Sequence, residues 1–123
     1  MKTILIVDDD ELFRTMLEAM LRKEGYQVLT ASNGTEAQAR LESISPDLIM
    51  TDILMPEGDG IELITALNRQ QRGIPIVAMS GGRRSISLEF NLESAALMGV
   101  KATLPKPFTR ENLRQVLADA LQG

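Results

Sequence analysis

Residues Leu5–Glu11 read LIVDDDE. The run Ile4–Val7 is apolar and partly β-branched, which favours a strand, and it leads directly into Asp8, Asp9 and Asp10. Two carboxylates ~4 Å apart repel by about 4 kcal/mol at an effective dielectric near 20. A buried strand that ends on such a cluster needs a compensating positive charge. A hard cation with oxygen ligands supplies one, and the N-terminal end of a helix supplies a weaker one. We read Asp10 as the cap of the following helix, and Asp8 and Asp9 as part of a carboxylate site.

Outward from this stretch, short apolar runs alternate with amphipathic segments along all 123 residues. Leu12, Phe13, Met16, Leu17, Met20 and Leu21 recur at helical spacing, with Met16 and Met20 as core filler and Gly25 as the stop. Tyr26–Ala31 reads as a second strand, Ser32–Gly34 as a turn, and Ala37, Leu41 and Ile44 as one face of a second helix. Asp47–Thr51 is a third strand and Ile61, Ile64 and Leu67 mark a third helix. Ile74–Met79 and Val100–Leu104 are the fourth and fifth strands, with a helix expected between them up to Met98. Thr109 caps a last helix whose apolar face is Leu113, Val116, Leu117 and Leu121. Strict strand–helix alternation predicts an α/β domain, a doubly wound parallel five-stranded sheet with five helices.

The chemistry collects at one edge of that sheet. In parallel sheets ligands bind outside the carboxyl ends of the strands. The expected ends carry Asp8 and Asp9, then Asp52, then Ser80, then Lys106. Three carboxylates, one hydroxyl and one ammonium from four strands thus share an edge. Each has an ordinary role on its own: a cap, a turn, a loop start, a solvated lysine. Their common edge favours a single site. An ionised aspartate there can attack phosphorus if a metal and a lysine neutralise the incoming oxygens.

Composition narrows the partners. With neither His nor Cys, metal ligands are oxygens, which suit Mg²⁺, Ca²⁺ or Mn²⁺ rather than Zn²⁺. The net charge of −4 argues against direct nucleic-acid binding. No apolar run reaches the length of a membrane span or a signal peptide, so no membrane insertion is expected and the domain is read as cytoplasmic. A flavin carrier lacks support, since one Tyr, no Trp and 3% aromatics leave few rings for stacking.

The motifs VDDDE after the first strand, DLIMTDILMPEGDG around Asp52, PIVAMSGG at the fourth strand and LPKPF near the end resemble the receiver domains of two-component response regulators. The resemblance covers essentially the whole chain, residues 1–123. It implies a flavodoxin-like fold with strand order 2-1-3-4-5. By resemblance, Asp52 is the phosphoacceptor and Asp9 binds Mg²⁺ directly, with Mn²⁺ or Ca²⁺ as substitutes. Asp8 acts mostly through a bound water, and the main-chain carbonyl of Leu54 is a further ligand. Ser80 and Lys106 hold phosphoryl oxygens, and the Lys106–Pro107 peptide is cis. The implied function is a phosphorylation-dependent signalling switch rather than an enzyme, with self-phosphorylation and self-dephosphorylation as its only chemistry. A histidine kinase or phosphotransfer protein supplies the phosphoryl group, and an unknown downstream protein reads it. The fourth helix, fifth strand and fifth helix form a candidate homodimer face.

Three features depart from the family or extend it. Thr103 stands where receivers often carry an aromatic residue, three positions before the lysine. With no output domain expected after the last helix, the chain resembles a stand-alone receiver, although an excised domain would read the same. Ile86, Phe90 and Leu97 form a second apolar stripe on the helix expected over Ile86–Leu97, read as an interaction surface next to a Gly81–Gly82 hinge unless an irregular or tilted helix buries both stripes. The competing functions are a phosphorylation-silent binding module and, less favoured, a metal-dependent aspartyl phosphatase. The latter places its nucleophile after the first strand and needs a cap.

Overall fold

The computed structural model describes residues 1–53, 59–70, 73–81 and 99–121. Five parallel strands, β1 (Thr3–Val7), β2 (Gln27–Ala31), β3 (Leu48–Asp52), β4 (Ile76–Gly81) and β5 (Ala102–Lys106), form one sheet in the order β2-β1-β3-β4-β5. The described helices are α1 (Glu11–Lys23), α2 (Gly34–Leu41), α3 (Asp59–Gln70) and α4 (Arg110–Leu121). The helix expected over Ile86–Leu97, with its second apolar stripe, lies outside the described residues, as do Leu54 and Gly82.

The central strands are apolar over most of their length because both faces of the sheet are covered. Alternate residues of β1 go to opposite layers. Ile4 and Ile6 pack with Leu17 and Leu21 of α1 and Leu113 and Leu117 of α4. Leu5 and Val7 pack with Ala37 and Leu41 of α2 and Leu63, Ile64 and Leu67 of α3. Leu48 and Met50 of β3 and Leu104 of β5 join the first layer. At a period of two, the next positions on those same rows are Asp8, Asp52 and Lys106. The row that is core lower in the sheet becomes the site at its edge.

Capping fixes the helix starts above that edge. Asp10 Oδ1 accepts the Phe13 N–H at 3.1 Å, as expected for a cap. Asn33 caps α2 by accepting the Glu36 N–H, and the Glu36 carboxylate accepts the Ser32 N–H in return. Thr109 and Asn112 exchange the corresponding pair at α4. Gly25 takes φ +94° just past α1, a conformation that L side chains rarely adopt, and so ends the helix. Just before that stop, Glu24 at the end of α1 receives ion pairs from Arg110 and Arg114. Arg114, then Arg110, holds the Glu24 carboxyl below its ordinary value and ties α1 to α4.

Several expectations are corrected. β4 and β5 each begin two residues later than the apolar runs and extend two residues further, to Gly81 and Lys106. Pro75 has no N–H to give to the ladder, and β5, at the sheet edge, tolerates Pro105. α2 stops at Leu41, short of Ile44. Leu12 and Met16 are not core: they are 85% and 47% exposed. The buried stripe of α1 runs through Leu17 and Leu21, with Phe13 and Met20 at its margin, and it is narrower than the full set of apolar residues. Leu17→Ala is therefore expected to cost ~2–5 kcal/mol of unfolding free energy in a urea titration. Met16→Ala, on the exposed face, should stay within ~0.5 kcal/mol of wild type. Equal losses would place Met16 in the core.

Candidate functional site

The site is assembled from strand ends. Asp8 follows β1, and its N–H continues the ladder to the Ala31 carbonyl at 3.1 Å. Asp52 is the last residue of β3, and the Ile53 N–H beyond it donates to the Met79 carbonyl at 2.9 Å. Lys106 is the last residue of β5 and pairs in register with Gly81, while the Ser80 backbone pairs with Pro105. The Lys106–Pro107 peptide is cis, as the family resemblance implied. Asp8, Asp9, Asp52, Ser80 and Lys106 thus share the carboxyl edge. The Ser80 side chain and Leu54 lie outside what is described.

Asp8 is fully buried and Asp52 nearly so. The Lys106 ammonium lies 2.7 Å from Asp8 Oδ2 and 3.4 Å from Asp52 Oδ2, on a side chain only 14% exposed. Carboxylate oxygens of Asp8, Asp9 and Asp52 come within 4.8 Å of one another. The other Asp8 oxygen accepts the Asp10 N–H at 2.9 Å, and the Asp8 carbonyl accepts from Arg14 Nη1 at 2.6 Å. The ammonium also lies over the Phe13 ring, 4.0 Å from its centroid. The repulsion expected from the sequence is therefore met by an internal cation as well as by the start of a helix.

Among the described residues, Lys106 is the cation ion-paired to Asp8 and Asp52, and Arg14 reaches the Asp8 carbonyl. Close, oxygen-only, anionic and partly buried, the Asp8–Asp9–Asp52 group suits a hard divalent cation. Arg14 and Phe13 were not legible as site residues. Phe13 read as core from its helical spacing, and nothing in the spacing shows that the first turn of α1 overhangs the end of β5.

The response regulator receiver domain profile matches residues 4–118. The chain belongs to that family. Receiver domains of this family are signalling phosphoacceptors, and the domain is a phosphorylation-dependent switch of two-component signalling. It is 32% identical over 120 residues to the chemotaxis protein CheY of Halobacterium salinarum, covering 98% of this chain and 97% of that one. It is 37% identical over 108 residues to the alkaline phosphatase synthesis transcriptional regulatory protein PhoP of Bacillus subtilis, covering 88% of this chain but only 43% of PhoP. The structure of CheY4 from Vibrio cholerae superposes with a TM-score of 0.84 at 33% identity, covering 98% of this chain and 99% of that one. A receiver domain from Clostridium thermocellum gives a TM-score of 0.88 at 25% identity over 99% of this chain and 95% of that one. Among the described residues no receiver helix is long and apolar enough to cross a membrane.

By carboxylate repulsion alone, removing either Asp8 or Asp9 would relieve strain in the metal-free protein. The contacts of Asp8 predict the opposite for that residue. Asp8→Ala strands the Asp10 N–H and takes the nearer partner from Lys106, so metal-free stability should fall by about 1–3 kcal/mol. Asp9→Ala should lose less. Chemical denaturation in the presence of a chelator measures both, and a more stable Asp8→Ala variant would mean that repulsion dominates the edge.

Proposed function

We propose that Asp52 accepts the phosphoryl group, supplied by a histidine kinase or phosphotransfer protein. The observation that carries this reading is the single ammonium of Lys106 reaching both Asp8 and Asp52 at a carboxylate edge. An Asp52 oxygen attacks phosphorus in line. The P–O bond forms as the donor's P–N bond breaks, and the electron pair leaves with the imidazole. Lys106 neutralises a phosphoryl oxygen, and we assign the Ser80 hydroxyl to another.

Asp8, Asp9 and Asp52, with the Leu54 main-chain carbonyl, are the proposed holders of a Mg²⁺ ion, which Mn²⁺ or Ca²⁺ can replace. When bound, the ion shields the negative charge between acceptor and incoming phosphoryl group. Asp9 makes the direct contact in this reading. Asp8, already engaged by Lys106 and the Asp10 N–H, acts mainly through water. Slow return of water to the acyl phosphate resets the switch. These steps are the chain's own self-phosphorylation and self-dephosphorylation, in the cytoplasm.

Phosphorylation adds roughly −1.5 to −2 charge beside Lys106, and the ends of β4 and β5 carry the change outward to a downstream protein. Thr103, partly buried on β5, has no ring to turn in and out of a groove. The relay then rests on Ser80 and Lys106. A homodimer through the surface of β5 and the last helix remains part of the proposal.

Incubation with a small-molecule acyl phosphate and Mg²⁺, followed by intact-mass measurement, should show one phosphoryl group per chain. Chelation of the metal should cut the yield by at least about tenfold. Asp52→Asn should show none, whereas labelling of that variant at the wild-type level would move the acceptor elsewhere.

A further inference from the structure

The aromatic surface at the site comes from Phe13 of α1 and from Phe108 beyond β5. Lys106 Nζ is 4.0 Å from the Phe13 ring centroid, close enough for a cation–π contact. The ring is held on two sides. Its backbone N–H donates to the Asp10 cap at 3.1 Å. The ring meets Phe108 in a T-shaped contact, with centroids 5.8 Å apart and planes at 88°. The third aspartate of the cluster thus fixes the helix turn that presents the ring face to the ammonium.

The three contacts of Lys106 respond differently to a cation. Its ion pairs with Asp8 and Asp52 use carboxylates that a metal would also engage. A metal there weakens both attractions and repels the ammonium. The Phe13 ring carries no ligand atom and loses nothing when the carboxylates are taken. It is the contact that keeps the ammonium beside Asp52 under those conditions.

We propose that Phe13 is a positioning residue for Lys106: its ring face holds the ammonium at the Asp52 edge whether or not a cation engages the carboxylates. This rests on the reading of Asp52 as acceptor and Lys106 as its counter-charge. An ordinary core role for Phe13 depends on ring volume and apolarity. Positioning depends on the negative potential of the ring face. Mono-, di- and trifluorinated phenylalanine at position 13 keep the volume and drain that potential stepwise, which separates the two roles.

Two readouts test the proposal on the full chain. In NMR spectra, the Lys106 ε-methylene resonances should be shifted upfield by the ring in wild type. The shift should persist at saturating Mg²⁺ and vanish in Phe13→Leu. The rate of phosphoryl transfer from an acyl phosphate to Asp52 should fall step by step along the fluorinated series, by roughly three- to thirtyfold at its end, with the melting temperature unchanged. A flat series overturns the proposal, as does a wild-type Lys106 shift that disappears when Mg²⁺ is added. If wild type gains no phosphoryl group at all, the acceptor reading fails, and the Lys106 shift decides the positioning role on its own.

Discussion

The Lys106 ammonium between Asp8 and Asp52 is the contact on which the upper edge of the sheet depends. A fully buried carboxylate is costly unless it is paired and hydrogen-bonded, and Asp8 is both. The pairing joins residues 98 positions apart in sequence. It links β1, inside the sheet, to β5 at the sheet edge, so the site and the fold share one electrostatic link.

That link explains the shape of the site. Ile4, Ile6, Leu48, Met50 and Leu104 form an apolar row beneath α1 and α4. The same row, continued past the last apolar residue of each strand, becomes Asp8, Asp52 and Lys106. No special backbone is needed to gather them: the pleat already points them one way. Carboxylate oxygens of Asp8, Asp9 and Asp52 gather there, and that grouping suits the edge to a divalent cation.

Most of the architecture was legible because it is written in periodicity. Alternating runs marked the five strands and their parallel arrangement, the family resemblance implied their order, and the adjacent aspartates located the edge. The cap role of Asp10 was legible from its place before a helical pattern. Spacing failed where tertiary geometry decides. Leu12 and Met16 fit a helical pattern, yet α1 buries only the stripe through Leu17 and Leu21. The ends of β4 and β5 were misplaced by two residues because apolar runs mark burial, whereas strand limits follow hydrogen bonding around Pro75 and Pro105. Phe13 looked like core for the same reason: nothing local shows that Lys106, 93 positions later, lies against its ring.

The central claim is that Lys106 is the resident counter-charge of this carboxylate edge, in competition with a divalent cation. Mg²⁺ affinity of Lys106→Met, measured by isothermal titration calorimetry, tests it most directly. With the competing ammonium gone and the carboxylates intact, Mg²⁺ should bind at least about tenfold more tightly than to wild type, since an opposing charge ~4 Å away is worth about 4 kcal/mol at an effective dielectric near 20 before solvent screening. Unchanged or weaker binding would contradict the account and show that Lys106 does not occupy the electrostatic position assigned to it.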